Sequence, residues 1–453
     1  MYDVIIIGGG PGGYVAAIKG AQLGLKVALI EKETVGGICL NHGCIPTKTY
    51  LNSAKVYKTA KQSSDFGINI EGVSFDWGKI LQRKNAVVKQ LTQGVAFLLK
   101  KNKVDVYNGL AEVLSKNKIS VNDQILETKN LIIGTGASAI IPNIDGLAEQ
   151  YKKGNVLTYK EILNIDSVPE SLVIIGGGVI GVEFATIFNA FGTKVTIIEM
   201  DNNILPSMDD DVRLAYSRRL KADGIDLIVN AKVTKVSKGK VQYTLNDEEG
   251  TISADVILCA VGTKANISGL EKLNLNIDNG NIVTNEYMQT NIENVYAIGD
   301  VNGKYMLAHV ASHEGIVAVS NIAGRQETMK YNTIPACVYG SPEIASVGKT
   351  EKQVKELGLS YKVSKIPLQA IGKAITDGAK EGFIKLIVEE KHLEILGAHI
   401  YAPNATELIS QIGLAMTNEL TPVEIVNTVH PHPTLSELTL EAALQAIDKA
   451  IHI

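Results

Sequence analysis

The chain has 453 residues, more than one ordinary hydrophobic core can use, and its 45% hydrophobic and 20% charged content predicts a water-soluble protein of two to four domains. A net charge of −4 with no basic run argues against nucleic acid as a partner, and no apolar run is long enough to span a membrane. The opening MYDVIIIGGG has no basic n-region or cleavage site, and four cysteines are too few for a secreted disulfide scaffold, so the expected location is the cytoplasm.

Asp3 to Ile7 reads as a short strand, followed by GGGPGG with Gly8, Gly10 and Gly13 in GxGxxG spacing. A helix is predicted to about Leu23, then a strand from Lys26 to Ile30 that ends at Glu31. Strand, glycine turn, helix, strand and acid in this order are the context a dinucleotide site requires. Gly8 permits the tight turn, Gly10 lets a pyrophosphate approach the helix N-terminus, and Gly13 lets helix and strand pack closely. Glu31 is placed to accept hydrogen bonds from ribose hydroxyls.

Next comes GGICLNHGCIPTK, Gly36 to Lys48, in which Cys39 and Cys44 are four residues apart. That interval brings two cysteines within disulfide reach, above all if a helix begins here, and a helix N-terminus favours a thiolate. Spacing alone leaves open a redox pair and two reduced, half-buried thiols. Half a zinc site is disfavoured, because Cys259 and Cys337 are isolated.

A long helix is predicted from Trp77 to Lys101, then short strands at Val104 to Tyr107, Lys118 to Val121 and Leu131 to Ile133. Pro142 and Pro169 punctuate the crossing into a second unit. There Leu172 to Ile175, then Gly176, Gly178 and Gly181, a helix to about Phe191, a strand from Lys194 to Ile198 and Glu199 repeat the first pattern at the same 23-position interval from first glycine to acid. Two cradles imply two nucleotide cofactors, one of them a flavin. Glu199 favours NAD over NADP, since a carboxylate repels a 2′-phosphate and no Arg or Lys precedes Arg213 in the stretch that follows.

This unit is expected to end near Gly262, after a strand from Val256 to Val261. Another strand, Val295 to Ile298, leads to Asp300, which reads locally as a helix N-cap and alternatively as an acceptor for a polyol. From about Tyr331 the pattern changes to antiparallel strands (Phe383 to Val388, Ile395 to Tyr401) with helices at Glu351 to Leu357 and Ala405 to Asn418. The closing HPHPTLSEL holds His430, His432 and Glu437. A His pair two apart with alternating prolines is a poor metal site, whereas a His near a carboxylate has the makings of an oriented general base.

Taken together, these motifs resemble the pyridine nucleotide–disulfide oxidoreductases, and among them the dihydrolipoyl dehydrogenases. The likeness spans nearly the whole chain: the first fingerprint, GGICLNHGCIPTK, the second fingerprint with Val182 and Glu183, AIGD at 297–300, LAHVASHEG at 307–315, SPEIASVGKTE at 341–351 and HPHPTLSE at 430–437. It implies an α/β fold of two Rossmann-like dinucleotide-binding domains plus a C-terminal α+β dimerisation domain. The implied division is 1–142 for the first part of an FAD-binding domain, 143–262 for an NAD-binding domain, 263–330 for a central FAD-binding segment and 331–453 for the interface.

The resemblance also assigns roles. Cys39 and Cys44 become a redox-active disulfide beside FAD, with Cys39 the interchange sulfur and Cys44 on the flavin side. His432, oriented by Glu437, takes the proton from a dihydrolipoyl thiol, and Lys48 pairs with Glu183 near the flavin. Gly8, Gly10, Gly13, Glu31, Lys48, Ala111, Asp300, Met306, Leu307, Ala308 and His309 are implied for FAD, and Gly176, Gly178, Gly181, Glu199, Val233 and Gly262 for NAD. Implied partners are a second copy of the chain, which supplies the His to each active site, and the lipoyl domain of an acyltransferase or the glycine-cleavage H protein. The runner-up readings are a sibling flavin disulfide reductase and a scaffold subunit without turnover. Four departures stand out: Thr263 and Lys264 replace a usual basic run, His42 replaces a Val and is expected to face solvent, Gly340 replaces a Thr, and Cys259 and Cys337 are expected to be buried apolar side chains.

Overall fold

The computed structural model describes residues 1–453. The first sheet has the order Asp105–Asn108, Val27–Glu31, Tyr2–Ile7 and Gln124–Ile133, with Val295–Ala297 paired to the far side of the last; all these strands run parallel. Val4, Ile5 and Ile6 are all fully buried, as expected for a parallel strand covered on both faces. The expected strand Leu131–Ile133 is the end of a ten-residue strand, Gln124–Ile133. Its first half leaves the parallel sheet and pairs antiparallel with Lys118–Val121, which lets Glu127 and Lys129 stay exposed and hides the strand among charged residues.

The second unit repeats the plan with the parallel order Asp226–Ile228, Lys194–Ile198, Ser171–Ile175, Val256–Cys259 and Val156–Leu157. A three-stranded antiparallel sheet, Ala231–Ser237, Lys240–Leu245 and Glu248–Ser253, packs beside it. The chain enters and leaves this unit through one antiparallel ribbon, Ala137–Ala139 against Thr263–Ala265.

The C-terminal part is a five-stranded antiparallel sheet in the order Ala336–Val338, Glu343–Gly348, Ile395–Ala402, Phe383–Glu389 and Tyr361–Pro367. Helices Ala405–Thr417 and Glu437–Ile447 share its apolar core. The largest core cluster joins Tyr50 and Trp77 from the first part to Phe184, Phe188 and Tyr216 from the second and Tyr401 from the third. Burying aromatics of three parts in one cluster fixes their relative placement, and with it the site between them. No helix is long and apolar enough to cross a membrane.

Candidate active site

The two glycine loops have nearly the same geometry. Gly8 has φ +104° and Gly176 φ +107°, backbone that L side chains rarely adopt. A Cβ on Gly13 would lie 1.8 Å from the Gly8 carbonyl oxygen, and one on Gly181 2.2 Å from that of Gly176. A Cβ on Gly178 would meet nothing within 4 Å and one on Gly10 only the Gly37 Cα at 3.8 Å, and each glycine begins a helix (Pro11–Gln22 and Val179–Ala190) that no side chain caps. Unpaired amides at two helix N-termini, on bare glycine backbone, fit the pyrophosphates of two dinucleotides. The acids match as well. Gly9 N–H donates to Glu31 at 2.6 Å and Gly177 N–H to Glu199 at 2.6 Å, with second backbone donors from Glu33 and Asp201.

Both loops open into one cavity of 2310 Å³, which reaches Cys39, Cys44, Lys48 and Glu183 between them. Cys39 lies in the helix Gly37–His42, and Cys44 is the first residue of the helix Cys44–Lys61. The two thiols act on each other: Cys44 and burial push the Cys39 thiol up, while Cys39 and then the charge of Lys48 draw the Cys44 thiol down against the effect of burial. Lys48 follows Cys44 by one helical turn, on the same face. Its Nζ lies 2.8 and 3.0 Å from the two oxygens of Glu183, a buried residue of the second unit's helix.

Asp300 also lines the cavity. The capping expectation fails, because Asp300 sits inside the short turn Gly299–Asn302, which Ile298 precedes as the cap residue. Burial, and then the nearby Glu314 carboxylate, push its carboxyl up to about 6. A half-buried carboxyl with no side-chain partner fits an acceptor role toward a polyol, the alternative reading. Glu314, fully buried, shapes this turn by accepting from Gly299 N–H at 2.6 Å, Asn302 at 2.9 Å and the Tyr331 hydroxyl at 2.6 Å. The sequence marked Glu314 only as part of a motif.

Ala111, Met306, Leu307, Ala308, His309, Val233 and Gly262 all line the same cavity. Thr263, one of the departures, donates its hydroxyl to the Met306 sulfur at 2.9 Å. Arg213 serves no phosphate. Its guanidinium is used up by Asp201, Asp210, Asn202 and the carbonyls of Asn203 and Ile204, which ties down the loop after Glu199.

His432 stands apart. Its Nδ1–H donates to Glu437 at 2.8 Å, whose other oxygen accepts from Thr434 N–H, and Nε2 points outward from a side chain 76% exposed. The pair lies outside the cavity within one chain. His430 is structural by its contacts: it donates to the Thr428 carbonyl and accepts from the Gln411 amide.

Two expectations about the departures need correction. His42 does not stand free in solvent: its side chain is half-buried and approaches Glu33 at 3.5 Å, on a helix whose Asn41 also bonds the Thr34 and Val35 carbonyls of the loop after Glu31. Cys337 is only half-buried and lines the cavity, whereas Cys259 is buried among apolar neighbours as expected. Gly340 has a cause: a Cβ there would sit 2.0 Å from the Tyr216 hydroxyl, which fills the space a larger residue needs.

Residues 2–315 match the pyridine nucleotide-disulphide oxidoreductase family, and residues 334–443 match its dimerisation domain. The chain belongs to this family. Among its curated relatives, a dihydrolipoyl dehydrogenase of Acholeplasma laidlawii is 64% identical over 71% of this chain and 96% of its own length. One of Bacillus subtilis is 45% identical over 100% of this chain and 99% of its own. Among solved structures, the HOCl-induced flavoprotein disulfide reductase RclA of Escherichia coli superposes with a TM-score of 0.86 at 29% identity, covering 97% of this chain and 98% of its own. Oxidoreductases of this family thus share with the chain both its nucleotide units and its C-terminal part.

Proposed function

We propose that the protein is a dihydrolipoyl dehydrogenase that oxidises protein-bound dihydrolipoyl groups and reduces NAD+ to NADH. The observation that carries this reading is the cysteine pair, lying with Lys48–Glu183 in the cavity that both nucleotide loops line. Relatives of that name at 64% and 45% identity support the substrate class.

In this reading Glu437 fixes the tautomer of His432, so that Nε2 carries the basic lone pair. Nε2 takes the proton from one substrate thiol. The thiolate attacks Cys39 in the Cys39–Cys44 disulfide, the S–S bond breaks, and Cys44 leaves as a thiolate. The second substrate thiol, once deprotonated, attacks its neighbour in the mixed disulfide and frees Cys39. The substrate has then lost two electrons to the cysteine pair. Lys48 and the N-terminus of the helix Cys44–Lys61 hold the charge on Cys44. FAD, when bound, supplies the two-electron link from this thiolate to NAD+. Gly8, Gly10, Gly13, Glu31, Ala111, Asp300 and residues 306–309 would hold it, and Gly176, Gly178, Gly181, Glu199, Val233 and Gly262 would hold NAD.

His432 lies outside the cavity of its own chain, and the chain carries the family's dimerisation domain, so we assign the base to the partner copy of a homodimer. Return of the strand Val295–Ala297 to the first sheet supports grouping 263–330 with 1–142, around a nucleotide unit at 143–262 and before an interface unit at 331–453. The lipoyl group would arrive in the cytoplasm on an acyltransferase domain or an H protein.

Anaerobic titration of the holoenzyme with dihydrolipoamide tests the proposal. A long-wavelength thiolate-to-flavin band at two electrons, lost as added NAD+ becomes NADH, is expected in the parent protein and absent in Cys44→Ser. A flavin reducible by NADH but indifferent to dihydrolipoamide would point instead to a sibling reductase with another disulfide substrate.

A further inference from the structure

The Lys48–Glu183 pair has a third member. Tyr339, from the segment just after the C-terminal strand Ala336–Val338, donates its backbone N–H to Glu183 Oε1 at 3.0 Å. Its ring lies against the Lys48 ammonium, with Nζ 4.6 Å from the centroid. Residues from three parts of the molecule therefore meet on one charge: Lys48 from the cysteine-bearing helix, Glu183 from the second nucleotide unit and Tyr339 from the interface unit.

Several features show that this contact is built. The Tyr339 hydroxyl has no hydrogen-bond partner, so the ring itself makes the contact with Lys48. Gly340 lets the chain turn against the Tyr216 hydroxyl, and Tyr216 in turn touches Thr186 at 3.4 Å on the helix that carries Glu183. The glycine at 340 thus leaves room for Tyr216 between the Tyr339 segment and that helix. Lys48 is partly exposed, and without a ring beside it a long ammonium chain gains freedom to swing toward water.

We infer that Tyr339 is a positioning residue whose ring holds Lys48 between Glu183 and Cys44 and so sets the charge that the Cys44 thiolate experiences. The direction follows from the neighbours. Lys48 favours the thiolate and Glu183 opposes it. A Leu at 339 keeps the backbone N–H on Glu183 but frees Lys48, leaving the carboxylate as the nearer fixed charge.

This inference rests on the function proposed above, and its test separates the two. The pH dependence of the long-wavelength band is measured in two-electron-reduced holoenzyme. In Y339L the apparent pKa of the band is expected to rise by about half a unit or more, the size a desolvated cation–π contact allows. Y339F should keep the parent value. Should Y339L fail to retain flavin, phenylalanines with one, two or three ring fluorines at 339 keep the shape while weakening the ring's negative face, and the pKa should climb with each fluorine. A Y339L protein with the parent pKa, or a flat fluorine series, overturns the inference. No band in the parent protein overturns the functional reading itself.

Discussion

The two nucleotide units are almost copies at their glycine loops and differ in how the rest of the molecule braces them. The first is braced by contact between backbones. The helix Pro11–Gln22 lies so close to the helix Ala308–Ile322 that a Cβ on Gly315 would sit 2.5 Å from the Gly12 carbonyl oxygen. The second is braced by charge. Lys385, on the C-terminal strand Phe383–Glu389, is almost fully buried and contacts Asp209 and Asp211 of the second unit at 2.8 Å and Glu351 at 2.7 Å. The same local motif can therefore be seated by close packing, indifferent to protons, or by an ion cluster that depends on them.

The sharpest way to break the likeness is at the first glycine of each loop. A Cβ would meet a carbonyl oxygen at 2.1 Å on Gly8 and 2.6 Å on Gly176, in each case on left-handed backbone. Gly8→Ala should cost bound flavin, whereas Gly176→Ala should keep the yellow colour and weaken NAD+ binding about tenfold to a hundredfold. Loss of flavin from both variants would mean that the loops do not serve separate nucleotides.

Lys385→Met comes next, since it strands three carboxylates around a buried position. About 3–5 kcal/mol of stability should disappear, read by denaturant unfolding. A loss below 1 kcal/mol, about the value of a surface pair, would show that water reaches the cluster and that charge is not the brace.

Acid provides the mildest probe. Burial keeps His399, packed beside the cluster, below its ordinary value of 6.5, and hydrogen bonds from Lys355 and Lys385 hold Glu351 down to about 2 from 4.5. Both folded values are depressed, so the stabilisation is complete above the ordinary values and drains away as pH falls, first below 6.5 through His399 and then between 4.5 and about 2 through Glu351. Hydrogen exchange during such a titration should open the helix Asp210–Ala222 and the strand Phe383–Glu389 before the helix Pro11–Gln22. Simultaneous opening would erase the distinction between the two braces.

Much of this molecule is written locally. The glycine spacing, the acids at Glu31 and Glu199, the helix Trp77–Lys101 and the strand Lys194–Ile198 depend on residues near in sequence, because turn strain, helix periodicity and strand alternation are short-range effects. The cysteine pair was equally visible, since four intervening residues already limit the separation of its sulfurs. The rest depends on tertiary structure, and before it only the family resemblance, not the local pattern, pointed to the Lys48–Glu183 pair, to Asp300 at the flavin and to a His from a second copy. Glu183 meets a lysine 135 positions away, Asp300 faces a cavity instead of capping a helix, Arg213 is spent on its own loop, and His432 sits outside the cavity that holds the cysteines. Each of these depends on where whole elements pack, and burial and long-range charge act only once the layers have assembled.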